Sequence, residues 1–145
     1  MPVVVQQAAF DPGQVVSDFM ATAPGAGAIV TFCGVVRGDA GLTAMDIEHY
    51  PGMTERAIAA MIEKATTRWN LTGAHVIHRY GRLEVGEPIM MVATASTHRA
   101  AAFEAAEFLM DYLKSRAPFW KKETGSDGAS WVAAKDGDEA ALNRW

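Results

Sequence analysis

The chain has 145 residues, 50% of them hydrophobic and 21% charged, with 13 Lys plus Arg against 17 Asp plus Glu for a formal net charge of -4. That composition predicts one globular domain over residues 1–145 and excludes disorder or low complexity as a global description. The acidic balance argues against a dedicated nucleic-acid binder, and the single cysteine excludes an intramolecular disulfide and a multi-cysteine metal site.

The start, Met1-Pro2-Val3-Val4-Val5-Gln6-Gln7, lacks the basic, apolar pattern of a signal peptide. No apolar run approaches the ~18 residues that span a membrane, so the expectation is a cytoplasmic protein without membrane contact. Val3–Gln7 reads as a first strand. Asp11-Pro12 starts a helix, Asp as cap and Pro in the first turn, and Val15, Val16, Phe19, Met20 and Ala23 follow at helical spacing. Pro24–Gly27 ends it. Ala28–Val36 is apolar and β-branched, a buried strand, and Arg37–Gly41 is a glycine loop around Asp39. Ala44–Tyr50 alternates as a half-buried strand with Met45, Ile47 and His49 on one face.

Pro51-Gly52 breaks the chain, and Thr54 is the expected cap of a helix over Glu55–Trp69. Its stripe is Ile58, Met61, Ile62, Ala65 and Trp69. Asn70–Gly73 closes that helix. Ala74–Tyr80 reads as a strand, Gly81–Glu87 as a turn-rich connection and Ile89–Ala95 as a central strand. Ser96 or Thr97 is the expected cap of the longest helix, His98–Arg116, with Phe103, Ala106, Met110 and Leu113 on one face and Pro118 as its stop. Phe119–Thr124 and Ala129–Ala134 read as strands around a Gly125–Gly128 hairpin turn. Asp138 reads as the cap of a short final helix. Strands and helices mix without strict βαβ alternation, which predicts an α+β fold with a largely antiparallel sheet.

Lys114 lies within about 60° of Met110 and Phe103 on the long helix. A lysine that continues an apolar stripe loses hydration, which lowers its pKa and suits it to proton transfer or amine chemistry. The alternative is a packed stem with its head in water. His98-Arg99 at the helix start can grip an anion, since free N–H groups and a guanidinium converge there; the alternative is a solvated first turn. Lys121 and Lys122 point to opposite faces of a strand, so at most one shares a pocket with Lys114. Arg37 sits where a buried strand gives way to a loop, a common place for a substrate contact. A cationic set on an acidic chain suggests an anionic small substrate.

Other residue types point less directly to chemistry. His49, His75 and His78 lack the spacing of a helical zinc pair. His75 and His78 fall on opposite strand faces, and core or surface roles are expected for all three. Cys33 reads as a small buried hydrophobe. The Trp and Met residues are expected in the core or an interface. No Gly-x-Gly-x-x-Gly or Walker loop is present.

Several blocks together resemble one family. They are LTAMDIEHYPGMTERAIAAMIEKATTRW at Leu42–Trp69, VIHRYGRLEVG at Val76–Gly86, Ser96–Arg99, Phe103–Ala105, MDYLKSRAPFWKK at Met110–Lys122, Trp131-Val132 and Arg144-Trp145. In this order, over about Ala28–Trp145, the chain resembles the large, catalytic subunit of molybdopterin synthase. The resemblance implies an α/β-hammerhead-type fold with an additional antiparallel sheet. It implies a sulfurtransferase that converts cyclic pyranopterin monophosphate (precursor Z) to molybdopterin. Two dithiolene sulfurs come from the C-terminal thiocarboxylate of a small ubiquitin-like carrier subunit. The implied assembly is a heterotetramer, a central dimer of large subunits with one small subunit at each end. No cofactor or metal is implied, and molybdenum arrives in a later step.

Carried over residue by residue, the resemblance implies Lys114 and Lys121 as catalytic. It implies substrate contacts from Val35, Val36, Arg37, His98, Arg99, Lys114, Lys121, Lys122 and Glu123, with Phe32 and Met110 lining the pocket. Because the sulfur belongs to the carrier's tail, Cys33 is not implied to carry it. Two other readings stand beside this one. One is a non-catalytic dimeric scaffold for a ubiquitin-like carrier. The other is an enzyme that uses the same cationic pocket for another phosphorylated metabolite.

Overall fold

The computed structural model describes residues 2–39, 41–125, 128–132 and 136–145. In chain order the elements are β1 (Val3–Gln6), α1 (Pro12–Ala21), β2 (Ala28–Val35), β3 (Leu42–His49), α2 (Met53–Trp69), β4 (Gly73–Arg79), β5 (Gly81–Glu84), β6 (Pro88–Ser96), α3 (Arg99–Ser115), β7 (Phe119–Gly125), β8 (Gly128–Trp131) and α4 (Asp136–Ala141), with a final 3-10 turn at Leu142–Arg144. The fold is α+β and carries two four-stranded sheets.

The first sheet runs β1-β4-β6-β2, with β1 and β4 parallel and the other pairs antiparallel. β6 is internal and buried from Ile89 to Ser96, because both of its faces are covered. Met90 and Val92 join the large core of α2 and α3, while Ala93 and Ala95 pack against Phe19 and Ala23 of the α1 region. The second sheet, β5-β3-β7-β8, is antiparallel throughout. Its inner strand β3 buries Ala44, Met45 and Ile47. Pairing of Ile47 with Lys121 and of His49 with Phe119 sets the register of β7.

α3 lies across the first sheet on a face of small residues. Ala102, Ala105 and Ala106 let the helix approach closely, and Phe108, Leu109 and Leu113 fill the space beyond them. The Thr94 hydroxyl of β6 donates to the Ala102 carbonyl at 2.7 Å and fixes that approach. The indole of Trp145 donates to Asp111, and its ring packs edge-on to Trp69 and Phe108, tying the chain end to α2 and α3.

Several expectations need correction. Gly81–Glu84, read as part of a connection, is an edge strand of the second sheet. Thr54 does not cap α2. Gly52 occupies that position at φ +83°, and the Glu55 carboxylate accepts from its N–H. The Thr54 hydroxyl instead accepts from the Tyr50 N–H and donates to the Pro118 carbonyl. Neither Ser96 nor Thr97 caps α3, because β6 runs through Ser96 and the cap position falls to His98, without a side-chain bond. Phe103 is 60% exposed, although Ala106 and Leu113 of its expected face are buried and Met110 packs against the core. Met20 is likewise exposed on α1. Asp138 lies inside α4 rather than at its cap. The β7–β8 pairing is present, but Ser126 and Asp127 of the expected turn, and Ala133 and Ala134 of the expected strand, lie outside the described residues. Ala40 of the expected glycine loop does so too.

Candidate functional site

Three segments far apart in sequence meet at one cleft. They are the end of β2 with Arg37, the last turn of α3, and the first half of β7. The cleft has two lobes of about 500 and 490 Å³ that share Val35, Arg37, His78, Ile89, Leu113, Lys114 and Lys121. The inner lobe adds Phe32, Cys33, Gly34, Met90 and Met110. The outer lobe adds Phe119, Trp120, Glu123, Trp131 and Val132 among others.

Local structure explains how each cation arrives. A bulge between Gly34 and Val35 breaks the β2 alternation. Val35 is therefore exposed in the cleft while Val36 is buried in the core. Backbone bonds from Val36 N–H to Glu87 and from Gly86 N–H to Val36 hold that turn. Arg37 follows it into solvent, 3.8 Å from Asp39. Lys114 stands in the last turn of α3, at the helix end whose dipole favours a cation. It is exposed, so the desolvation expected from its stripe is missing; Phe103 of that stripe is exposed too, while Met110 is half-buried against the core. On β7, Phe119, Lys121 and Glu123 fall on one face by strand alternation and all line the cleft.

The candidate residues therefore divide. Phe32, Val35, Arg37, Met110, Lys114, Lys121 and Glu123 come together. Val36 supports the site only from the core. Lys122 is outside the cleft lining, paired across the sheet with Asp46 and Trp131, its ammonium 5.8 Å from the Trp131 ring centre. His98 and Arg99 do not reach the cleft of their own chain. They sit at the opposite end of α3 from Lys114, which fifteen residues of helix place about 22 Å away.

His78 is the site residue that the sequence reading assigned to an ordinary structural role. It is 4% exposed and lines both lobes. Its ring stacks on Phe119 with centroids 3.7 Å apart and planes 17° apart. Nδ1 lies 2.8 Å from the Arg79 carbonyl oxygen. Burial pushes the imidazole pKa down to about 3, and the nearby Lys121, Lys114 and His49 add to the effect while the Arg79 bond opposes it. The ring is therefore neutral near neutral pH. Its sequence signal was a histidine on a strand flanked by apolar residues, which a core ring would share. The expected opposite facing of His75 is present, since His75 lies toward Phe19 of α1.

Cys33 is half-buried rather than fully buried and lines the inner lobe. Burial raises its thiol pKa, which makes it a poorer nucleophile. Trp120 and Trp131 are exposed at the cleft rim rather than in the core. Among the described residues, no group of three or more His, Cys, Asp or Glu could hold a metal ion. No helix among them is long and apolar enough to cross a membrane.

The cleft can bind an anion through Arg37 and the lysines, admit an apolar tail along Phe32, Val35 and Met110, and move protons through the amines. Comparisons with known proteins give the chain's relatives. The model of the MoaE protein family matches residues 5–116. A molybdopterin synthase catalytic subunit of Cereibacter sphaeroides is 66% identical over the full length of both chains. One from Pseudomonas aeruginosa is 51% identical over 100% of this chain and 99% of its own. The solved molybdopterin biosynthesis MoaE protein of Burkholderia ambifaria superposes with a TM-score of 0.86 at 46% identity, covering 99% of this chain and 96% of that one. With the family model spanning most of its length and a full-length relative 66% identical, the chain belongs to the MoaE family.

Proposed function

We propose that this protein is the catalytic subunit of a molybdopterin synthase, a sulfurtransferase acting on cyclic pyranopterin monophosphate in the cytoplasm, with residues 1–145 as one domain. The observation that carries the reading is the convergence of Arg37, Lys114 and Lys121 on one cleft, on a chain whose net charge is -4. The lobe lined by Phe32 and Met110 holds those three cations and, among the described residues, no carboxylate, and a local cationic pocket on an acidic protein suits a small anion rather than a polyanion.

In this reading the cleft receives two partners. Arg37 holds the phosphate or polar edge of the pterin. The flexible C-terminus of a small ubiquitin-like carrier enters in extended form. Its ordering costs entropy but brings the thiocarboxylate to the reacting carbon. The thiocarboxylate sulfur attacks an activated carbon; a C–S bond forms as that carbon's C–O bond breaks, the oxygen leaves protonated as water, and substrate and carrier are joined through a thioester. Lys114 and Lys121 transfer protons and stabilise developing negative charge. Hydrolysis frees the spent carrier, and a second charged carrier delivers the other sulfur. Cys33 stays a protonated thiol in the wall of the inner lobe and carries no sulfur.

His98 and Arg99 enter the reading through the dimer. Their distance from Lys114 along α3 keeps them from their own cleft, which supports their presentation by a second copy. The central dimer then has a chemical purpose: each subunit supplies the lysines of one site and the anion grip of the other.

The direct test is Lys114→Ala. Loss of dithiolene formation with carrier binding retained is the expected result. Turnover at the wild-type rate by the folded variant would remove Lys114 from the mechanism. Lys114→Arg is expected to fail as well, since arginine does not readily give up its proton. The scaffold alternative has no comparable observation in its favour, because the cleft retains its cations.

A further inference from the structure

We infer that His78 is a positioning residue of this site, its Nε2 accepting a hydrogen bond from the Lys121 ammonium and so aiming that amine into the cleft. The inference rests on the synthase reading above and adds a residue to it. Geometry brings the two groups together. Phe119 lies flat on the imidazole at 3.7 Å. Lys121 leaves the same face of β7 two residues later, so its stem begins beside the ring. Both residues line both lobes of the cleft.

The chemistry of the ring then fixes its role. Nδ1 is 2.8 Å from the Arg79 carbonyl oxygen. A carbonyl oxygen only accepts, so Nδ1 carries the proton. In a neutral imidazole Nε2 is then an acceptor without a hydrogen. The charged or titratable groups acting on the ring are Lys121 from β7, Lys114 from α3 and His49 from β3, and burial among them keeps it neutral. A lone pair set among cations matches an N–H donor. A carboxylate in the same place would also hold the lysine, but it would cancel the positive charge that an anionic substrate needs. A neutral acceptor fixes direction and leaves the charge intact. A phenylalanine would stack on Phe119 equally well, so packing alone gives no reason to bury a polar ring.

Two variants separate the roles. His78→Phe keeps the stack and removes the acceptor. His78→Gln returns an acceptor oxygen near the Nε2 position. With pre-charged carrier and pterin phosphate, His78→Phe is expected to lose about tenfold or more in kcat, the size of one hydrogen bond to a charged group, with KM for the pterin little changed. His78→Gln is expected to recover most of that loss. A fully active His78→Phe beside an impaired His78→Gln would mean packing alone and would overturn the inference.

A second measurement does not depend on turnover or on the folding of either His78 variant. In nitrogen NMR of the histidine-labelled full chain, the His78 Nε2 signal is expected to move toward that of a free acceptor in Lys121→Met. An unmoved signal would overturn the inference whatever the reaction proves to be. Failure of the wild-type protein to turn over would count against the synthase reading, and the NMR result would then decide the role of His78 alone.

Discussion

The assignment of His98 and Arg99 to the partner's cleft makes a quantitative prediction. Arg99 and Lys114 stand at opposite ends of the 17-residue α3, about 22 Å apart along its axis. No side chain bridges that span, so a site using both must draw them from two chains. Lys114→Ala alone should show background activity. Arg99→Ala alone should fall by about 10- to 100-fold in kcat/KM, the range for losing charged hydrogen bonds to an anion. Now let the two variants exchange subunits freely in equal amounts. Half the dimers are mixed, and each mixed dimer has one doubly damaged cleft and one intact cleft. Dithiolene formation should rise to about a quarter of the wild-type rate. The assay is product formation by mass spectrometry after co-refolding, with exchange verified by native mass spectrometry. Activity that stays at the mean of the two single variants, with mixed dimers demonstrated, would refute the trans arrangement.

Three further perturbations test the fold that holds the site. Thr54→Val leaves the partly buried Tyr50 N–H and Pro118 carbonyl without the hydroxyl of the buried Thr54, and should cost about 1–3 kcal/mol, measurable by urea denaturation. Gly27→Ala would place a Cβ 2.1 Å from the Thr97 carbonyl oxygen. Backbone must shift to relieve that clash, so a loss of about 1–3 kcal/mol is expected, and an unchanged melting temperature would contradict the close approach of the two loops. The third concerns acid. His78 titrates near 6.5 when unfolded and at about 3 when folded, so between those values the unfolded chain binds the extra proton and stability rises with pH. Below about pH 6 the wild type should lose up to ~1.4 kcal/mol per pH unit more than His78→Gln, and parallel acid-denaturation curves would contradict the burial of a neutral ring.

The elements legible in the sequence were those with strong local periodicity. The stripe Ile58, Met61, Ile62 and Ala65 is buried on α2 as its spacing requires, and Asp11 caps α1 through bonds to Gly13 and Gln14. Misread features were decided by distant partners. Thr54 has the chemistry of a cap, but Pro118, 64 residues away, claims its hydroxyl. The apolar Phe103 looked like core, yet α3 buries its alanines because the sheet comes close. Gly81–Glu84 is too short to announce itself and becomes a strand only beside β3. At the site, the individual cations were legible as residue types. Their meeting was not, because Arg37, Lys114 and Lys121 arrive on separate segments. His78 was hidden for another reason: a histidine among apolar strand residues looks alike whether it fills a core or floors a cleft.

The central claim is that this cleft transfers carrier sulfur to a pterin phosphate through Lys114. The most direct measurement mixes the purified protein with cyclic pyranopterin monophosphate and a thiocarboxylated small subunit, then seeks the dithiolene product by mass spectrometry. Product formed by the wild type and lost in a folded Lys114→Ala protein that still binds the carrier is the predicted result. No product from the wild type, with the carrier shown to be charged and bound, would contradict the account.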